Sequence, residues 1–111
     1  MVVMKKEKDL LRRIKMERYF FIDECIEWVP HRYQKFEKKE DFYDSLKFNY
    51  EYAESEGDEF EETLDEVIEE FKCSEDHEYS CNGFRYLKLT NCTLAEWEYD
   101  LYLDENKLKI I

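Results

Sequence analysis

Proline occurs once and glycine twice among the 111 residues, which excludes collagen-like repeats, Gly-rich linkers and low-complexity disorder. No apolar run exceeds four residues, Tyr19–Ile22 being one, against the roughly 20 that a membrane helix needs. Met1–Met4 leads directly into Lys5 and Lys6 with no apolar stretch behind it, so the expectation is a cytoplasmic protein with neither secretion signal nor membrane contact. Histidine is scarce: His31 and His77 are the two copies, and neither lies in a nucleophile, phosphate-loop or zinc-protease motif. Carboxylate pairs such as Asp23/Glu24 and Glu96/Glu98 are expected from composition alone. Catalysis is not expected, and no cofactor.

What the chain does have is apolar mass and negative charge. Hydrophobic residues make up 43% and aromatics 17%, enough for one real core in a single domain spanning residues 1–111. Seventeen bases against twenty-nine acids give a net charge of −12, which repels nucleic acid and anionic membrane and favours a basic partner. The charge is concentrated. Residues 51–76 hold thirteen carboxylates and one base, Lys72, so this block alone has the net charge of the whole chain. Residues 1–18 run the other way, with seven bases against three acids.

Periodicity predicts a basic amphipathic helix over Lys5–Arg18, from Leu10, Leu11 and Ile14. Tyr19–Pro30 fits a helical face through Ile22, Ile26 and Val29, although Ile22, Glu24, Ile26 and Trp28 also alternate; the helical reading is taken, ending at Pro30. His31–Asp44 reads as a second helix or a loop with one helical turn. Leu46, Phe48, Tyr50 and Tyr52 alternate with polar residues and predict a strand. Glu56-Gly57-Asp58 reads as a turn followed by an N-cap. Phe60, Leu64, Val67, Ile68 and Phe71 then predict a helix over about 59–72. Asn82-Gly83 between Tyr79–Cys81 and Phe84–Leu89 is a hairpin signal. Ala95, Trp97, Tyr99, Leu101 and Leu103 alternate as a further strand, and Asp104-Glu105-Asn106 turns into Leu108–Ile111. The expected fold is α+β: two or three helices on an antiparallel sheet of about four or five strands, ending in a β-meander.

Two constellations carry possible function. On the helix about 59–72, an apolar side facing the sheet leaves Glu62, Asp65, Glu66 and Glu69 opposite it, flanked by Asp58, Glu59, Glu61 and Glu70. Carboxylates spaced i, i+3 and i+4 stand about 5–6 Å apart at the β-carbon and destabilise an isolated helix, so a purely structural surface would intersperse lysines. The plain alternative is a solvated acidic face. The second constellation, Cys73, His77, Cys81 and Cys92, has four zinc-type ligands, but its C-x3-H-x3-C spacing departs from the usual tight C-x2-4-C pairs. Reduced thiols are the simpler reading. Tyr33, Phe36, Tyr43, Tyr50, Tyr52, Tyr99 and Tyr102 exceed what one small core encloses, which points to protein–protein anchors among them.

The run Asp58-Glu59-Phe60-Glu61-Glu62 with Asp65-Glu66 and Glu69-Glu70, taken with size and charge, resembles the small acidic α+β inhibitors of phages and mobile elements, including anti-CRISPR and other DNA-mimic proteins. The resemblance implies a stoichiometric inhibitor, monomer or homodimer, that presents these acids to a basic nucleic-acid-binding protein or nuclease complex. Immunity proteins that neutralise nuclease toxins look similar at this level. A small regulatory module holding a metal at the Cys/His set is the remaining alternative.

Overall fold

The computed structural model describes residues 16–23, 32–81, 83–97 and 108–111. Arg18–Asp23 forms the first strand, β1, and leaves neither side wet: Tyr19, Phe20, Phe21 and Ile22 are all buried. Such a continuous apolar run suits the middle of a sheet covered on both faces, so this stretch is a strand and not the expected helix. Residues 24–30, including Pro30, lie outside the described residues. Arg32–Phe36, expected within a helix or loop, is β2 and pairs antiparallel with β1, Phe21 opposite Gln34.

Lys39–Ser55 is a 17-residue helix, α1. It replaces the strand expected over Leu46–Tyr52. Residues two apart on a helix are separated by about 200°, so alternating apolar residues fall on opposite faces. Leu46 and Tyr50 join Phe42 and Ala53 inside, while Phe48 and Tyr52 are 69% and 51% exposed. Gly57 ends α1 with φ +100°, its N–H donating to Glu54 O at 3.1 Å and that of Asp58 to Ala53 O at 3.0 Å. That bonding is a Schellman motif, in which only glycine takes the left-handed position without strain. Glu56-Gly57-Asp58 therefore closes one helix and does not open the next.

The second helix, α2, is Leu64–Cys73, shorter than the expected 59–72. Its N-cap is Thr63, not Asp58: Thr63 Oγ1 accepts from Glu66 N at 3.2 Å, and Glu66 Oε1 from Thr63 N at 3.1 Å. This reciprocal capping box satisfies two otherwise orphaned donors. His77–Cys81 (β3) and Phe84–Leu89 (β4) form the expected hairpin, with Gly83 at φ +79°. The stretch expected to open a strand at Ala95 is instead a four-residue helix, Leu94–Trp97 (α3), capped like α2 by Thr93 and Glu96. The remainder of that expected strand lies outside the described residues. Lys109–Ile110 (β5) pairs parallel with β2, whereas the other three pairings are antiparallel.

The five strands are ordered β3-β4-β1-β2-β5, and the molecule is α+β. One sheet face carries Tyr19, Phe21, Phe36 and Tyr86 against Phe42 and Leu46 of α1 and Val67 and Phe71 of α2. The other carries Phe20, Ile22, Leu87 and Leu89 with Leu94 of α3. Phe42 is the hub of the first layer, its ring centroid 4.8 Å from that of Tyr19, 5.1 Å from Phe71 and 5.6 Å from Tyr86. Each side chain buried this fully contributes about 1.5–3 kcal/mol. The Tyr86 hydroxyl, on a fully buried side chain, receives the Asn49 amide and donates to the Ser45 carbonyl at 3.1 Å, so this polar atom of the core is satisfied by α1.

Of the basic segment Lys5–Arg18, residues 5–15 lie outside the described residues. Arg18 belongs to β1, and its guanidinium donates to the Cys92 carbonyl. No described helix is long and apolar enough to cross a membrane.

Candidate functional site

The acidic residues singled out from the sequence are carried by a loop, residues 58–62, and by α2. Phe60 holds the loop: its ring lies 4.5 Å from that of Tyr50, centroid to centroid. The Tyr50 hydroxyl donates to the Glu62 carbonyl oxygen at 2.6 Å. With Phe60 turned onto α1, Asp58, Glu59 and Glu61 are left exposed.

On α2 the inward stripe is Val67 and Phe71, with Leu64 and Ile68 packed beside it. Asp65, Glu66 and Glu69 are exposed. Asp65 and Glu66 occupy the first turn, where the helix dipole favours anions. Bonding from the Thr63 backbone N–H holds the Glu66 carboxyl below its usual range.

Glu62 and Glu70 depart from the expected display. Both are half-buried and stand together near His77, the Glu70 side chain being 45% exposed. Glu62 Oε2 is buried with no hydrogen-bond partner among the described residues. Desolvation, with the nearby charges of Glu70 and Glu66, raises its pKa, while His77 acts in the opposite direction. His77 Nε2 lies 3.2 Å from Glu70 Oε2 without hydrogen-bond alignment, and its ring edge stands on Phe71 at 4.7 Å. Glu62 belongs to the packing beneath the ridge and Glu70 stands at its edge, so the fully displayed set is Asp58, Glu59, Glu61, Asp65, Glu66 and Glu69.

The structure also enlarges the surface. Because Lys39–Ser55 is helical, Glu51, Glu54 and Glu56 are exposed where α1 runs into the loop. The last turn of α1 has no base, so Glu54 meets the negative end of the helix dipole. Such a carboxylate costs about 0.3–1 kcal/mol at a surface, which a surface shaped for stability alone would avoid. Phe48 and Tyr52, four residues apart on the outer face of α1, add exposed aromatic area next to Glu51. Reading Leu46–Tyr52 as a strand hid all of these; the i, i+4, i+8 and i+11 spacing of Phe42, Leu46, Tyr50 and Ala53 was the signal that would have found them. Of the aromatics that together exceed one small core, Phe36 and Tyr50 are buried, Tyr33 and Tyr43 are half-buried and Tyr52 is exposed, whereas Tyr99 and Tyr102 lie outside the described residues.

Cys73, His77, Cys81 and Cys92 are not brought together. Among the described residues no group of three or more His, Cys, Asp or Glu is placed to hold a metal ion. The Cys73 thiol donates to Glu69 Oε1 at 3.3 Å, and that carboxylate raises its pKa. Cys81 is buried against the Asn49 carbonyl, where desolvation raises its pKa. Neither thiol is primed as a nucleophile or as a thiolate ligand.

Comparison with family models, curated proteins and solved structures finds no match to this chain.

Proposed function

We propose that the protein is a stoichiometric inhibitor of a nucleic-acid-binding defence complex, of the anti-CRISPR or DNA-mimic kind. It presents the acidic ridge to a basic groove and occludes it. One observation carries the reading: an uninterrupted series of exposed carboxylates from Glu51 through Asp58, Glu59 and Glu61 to Asp65, Glu66 and Glu69, with no lysine or arginine between them.

Side chains of this kind, about 5–6 Å apart where they share a helix face, offer a groove of Lys and Arg the charge density of a phosphate backbone. Charge complementarity raises association rates by 10–10³-fold and orients the encounter. Affinity requires desolvated anchors as well, and Phe48 and Tyr52 flank the charge. The partner is a protein; a ridge of this sign repels nucleic acid itself.

The test is retention of proteins from the natural host on the immobilised chain, at low and at high salt. Capture of a nucleic-acid-binding protein that its own nucleic acid displaces, and that an Asp58→Lys/Glu61→Lys/Asp65→Lys variant fails to capture, supports the reading. Capture indifferent to the three reversals overturns it, and capture of a nuclease toxin at its active site replaces it with the immunity-protein reading.

A further inference from the structure

We infer that the hollow where the start of α1 meets the end of α2 over the sheet is an anion site for the phosphate group of a small phosphorylated molecule. This inference is independent of the acidic ridge. The hollow has a volume of about 440 Å³ and is lined by Lys39, Lys72 and Lys88 together with Tyr19, Tyr43 and the carboxylates of Glu17 and Glu40. Three ammonium groups against two carboxylates leave it locally positive in a chain of net charge −12.

The three cations arrive from different elements. Lys88 comes from β4 and is only 4% exposed; its Nζ lies 2.8 Å from the Phe71 carbonyl and 3.5 Å from Glu17 Oε1. An ammonium group has three donors, so these contacts leave one for a ligand. Lys72 is in the last turn of α2, its Nζ 5.9 Å from the centroid of the Tyr43 ring. Lys39 opens α1, and the N-cap before it, Lys38, makes no side-chain capping bond. Two lysines thus stand at the positive end of a 17-residue helix, beside Glu40 and Asp41 of its first turn, where an anion is stabilised.

An oxyanion already shows how these donors are used. The Glu17 carboxylate receives the Tyr19 hydroxyl and faces Lys88, and these contacts hold its pKa below the usual range. Glu17 is 44% exposed, so it stands at the rim, in the field of Lys39 as well as Lys88. The volume lies in the range of small-molecule sites, about 300–1,000 Å³, and exceeds what orthophosphate alone fills, so an organic group is accommodated with it.

The test is a ¹H–¹⁵N NMR titration of the full chain with inorganic phosphate, then with glucose 6-phosphate, against chloride at matched ionic strength. The expected result is saturable shifts confined to Lys39, Glu40, Tyr43, Lys72 and Lys88 with both phosphates and none with chloride. Lys72→Gln and Lys39→Gln, both at exposed positions, weaken the binding by roughly tenfold, as loss of a charge-assisted contact does. Glu17→Gln tightens it by removing the resident negative charge. Shifts that do not saturate, that chloride reproduces, or that Lys72→Gln and Glu17→Gln leave unchanged overturn the inference.

Discussion

The hydroxyl of Tyr50 donates a 2.6 Å hydrogen bond to the carbonyl oxygen of Glu62, tying the buried side of α1 to the loop that carries the acidic ridge. Tyr50 is 4% exposed and its ring also receives Phe60, so one side chain sets both ends of the loop's approach. Tyr50→Phe keeps the ring and removes the donor. The expected cost is about 0.5–1.5 kcal/mol, read as a lower urea midpoint with unchanged slope, and amide exchange over residues 58–63 should quicken.

Thr63 is the cap of α2, and its bond with Glu66 is reciprocal. Thr63→Ala is expected to cost about 1 kcal/mol, whereas Asp58→Ala, at the position the sequence pattern favours as a cap, should cost little. Urea denaturation of the two variants distinguishes the capping assignments.

Phe42 and Phe48 lie on opposite sides of α1, one at the hub of the core and the other 69% exposed. Phe42→Ala should cost about 3–5 kcal/mol. Phe48→Ala should stay within about 0.5 kcal/mol. Had Leu46–Tyr52 been a strand with one buried face, Phe48 would share the burial of Leu46 and its replacement would be severe.

The raised pKa of Glu62, caused first by desolvation, sets a direction for pH dependence. The native state holds this proton more tightly than the unfolded chain, whose carboxyl titrates near 4.5. Its contribution to stability is therefore fully present below that value and is lost as pH rises through the higher native pKa. Glu62→Gln, neutral at every pH, should raise the melting temperature at pH 7, and the gain over the native chain should shrink on acidification to pH 4. Glu66 titrates in the opposite sense, its contribution being present above 4.5 and lost as pH falls through its lowered native pKa. A Glu66→Gln comparison should accordingly show its deficit at neutral pH.

The parts of this fold that local chemistry dictates could be read from the sequence. Asn82-Gly83 between two apolar stretches yields the β3–β4 hairpin, and Val67, Ile68 and Phe71 place the inner side of α2. The capping boxes were equally local, Thr63-Leu64-Asp65-Glu66 and Thr93-Leu94-Ala95-Glu96, and would have moved the start of α2 and replaced the strand expected at Ala95 by α3. Elements decided by burial on two sides were harder. Tyr19–Ile22 has no polar side from which to read a period, because β1 is covered by helices on one face and by Leu94 on the other. α1 misled for a related reason: aromatic residues on its wet face broke the amphipathic pattern and imitated alternation. Those exposed aromatics, with the acids beside them, are where the candidate site lies, and a site that departs from the rules of a stable surface also departs from the patterns that reveal a helix.

The most direct measurement of the central claim is the association rate of the chain with its captured partner across a salt series, for the native protein and for a variant with Asp58, Asp65 and Glu69 changed to Lys. These three side chains are exposed and lie outside the core and the cap, so the variant should stay folded, its melting transition lowered by the roughly 0.3–1 kcal/mol that a cation at the Asp65 position costs in the first turn of α2. The native rate should fall steeply with salt, the variant should associate at least about tenfold more slowly at low salt, and its salt slope should be shallower. Equal rates and equal slopes for the two proteins would contradict a partner-binding role for the acidic ridge.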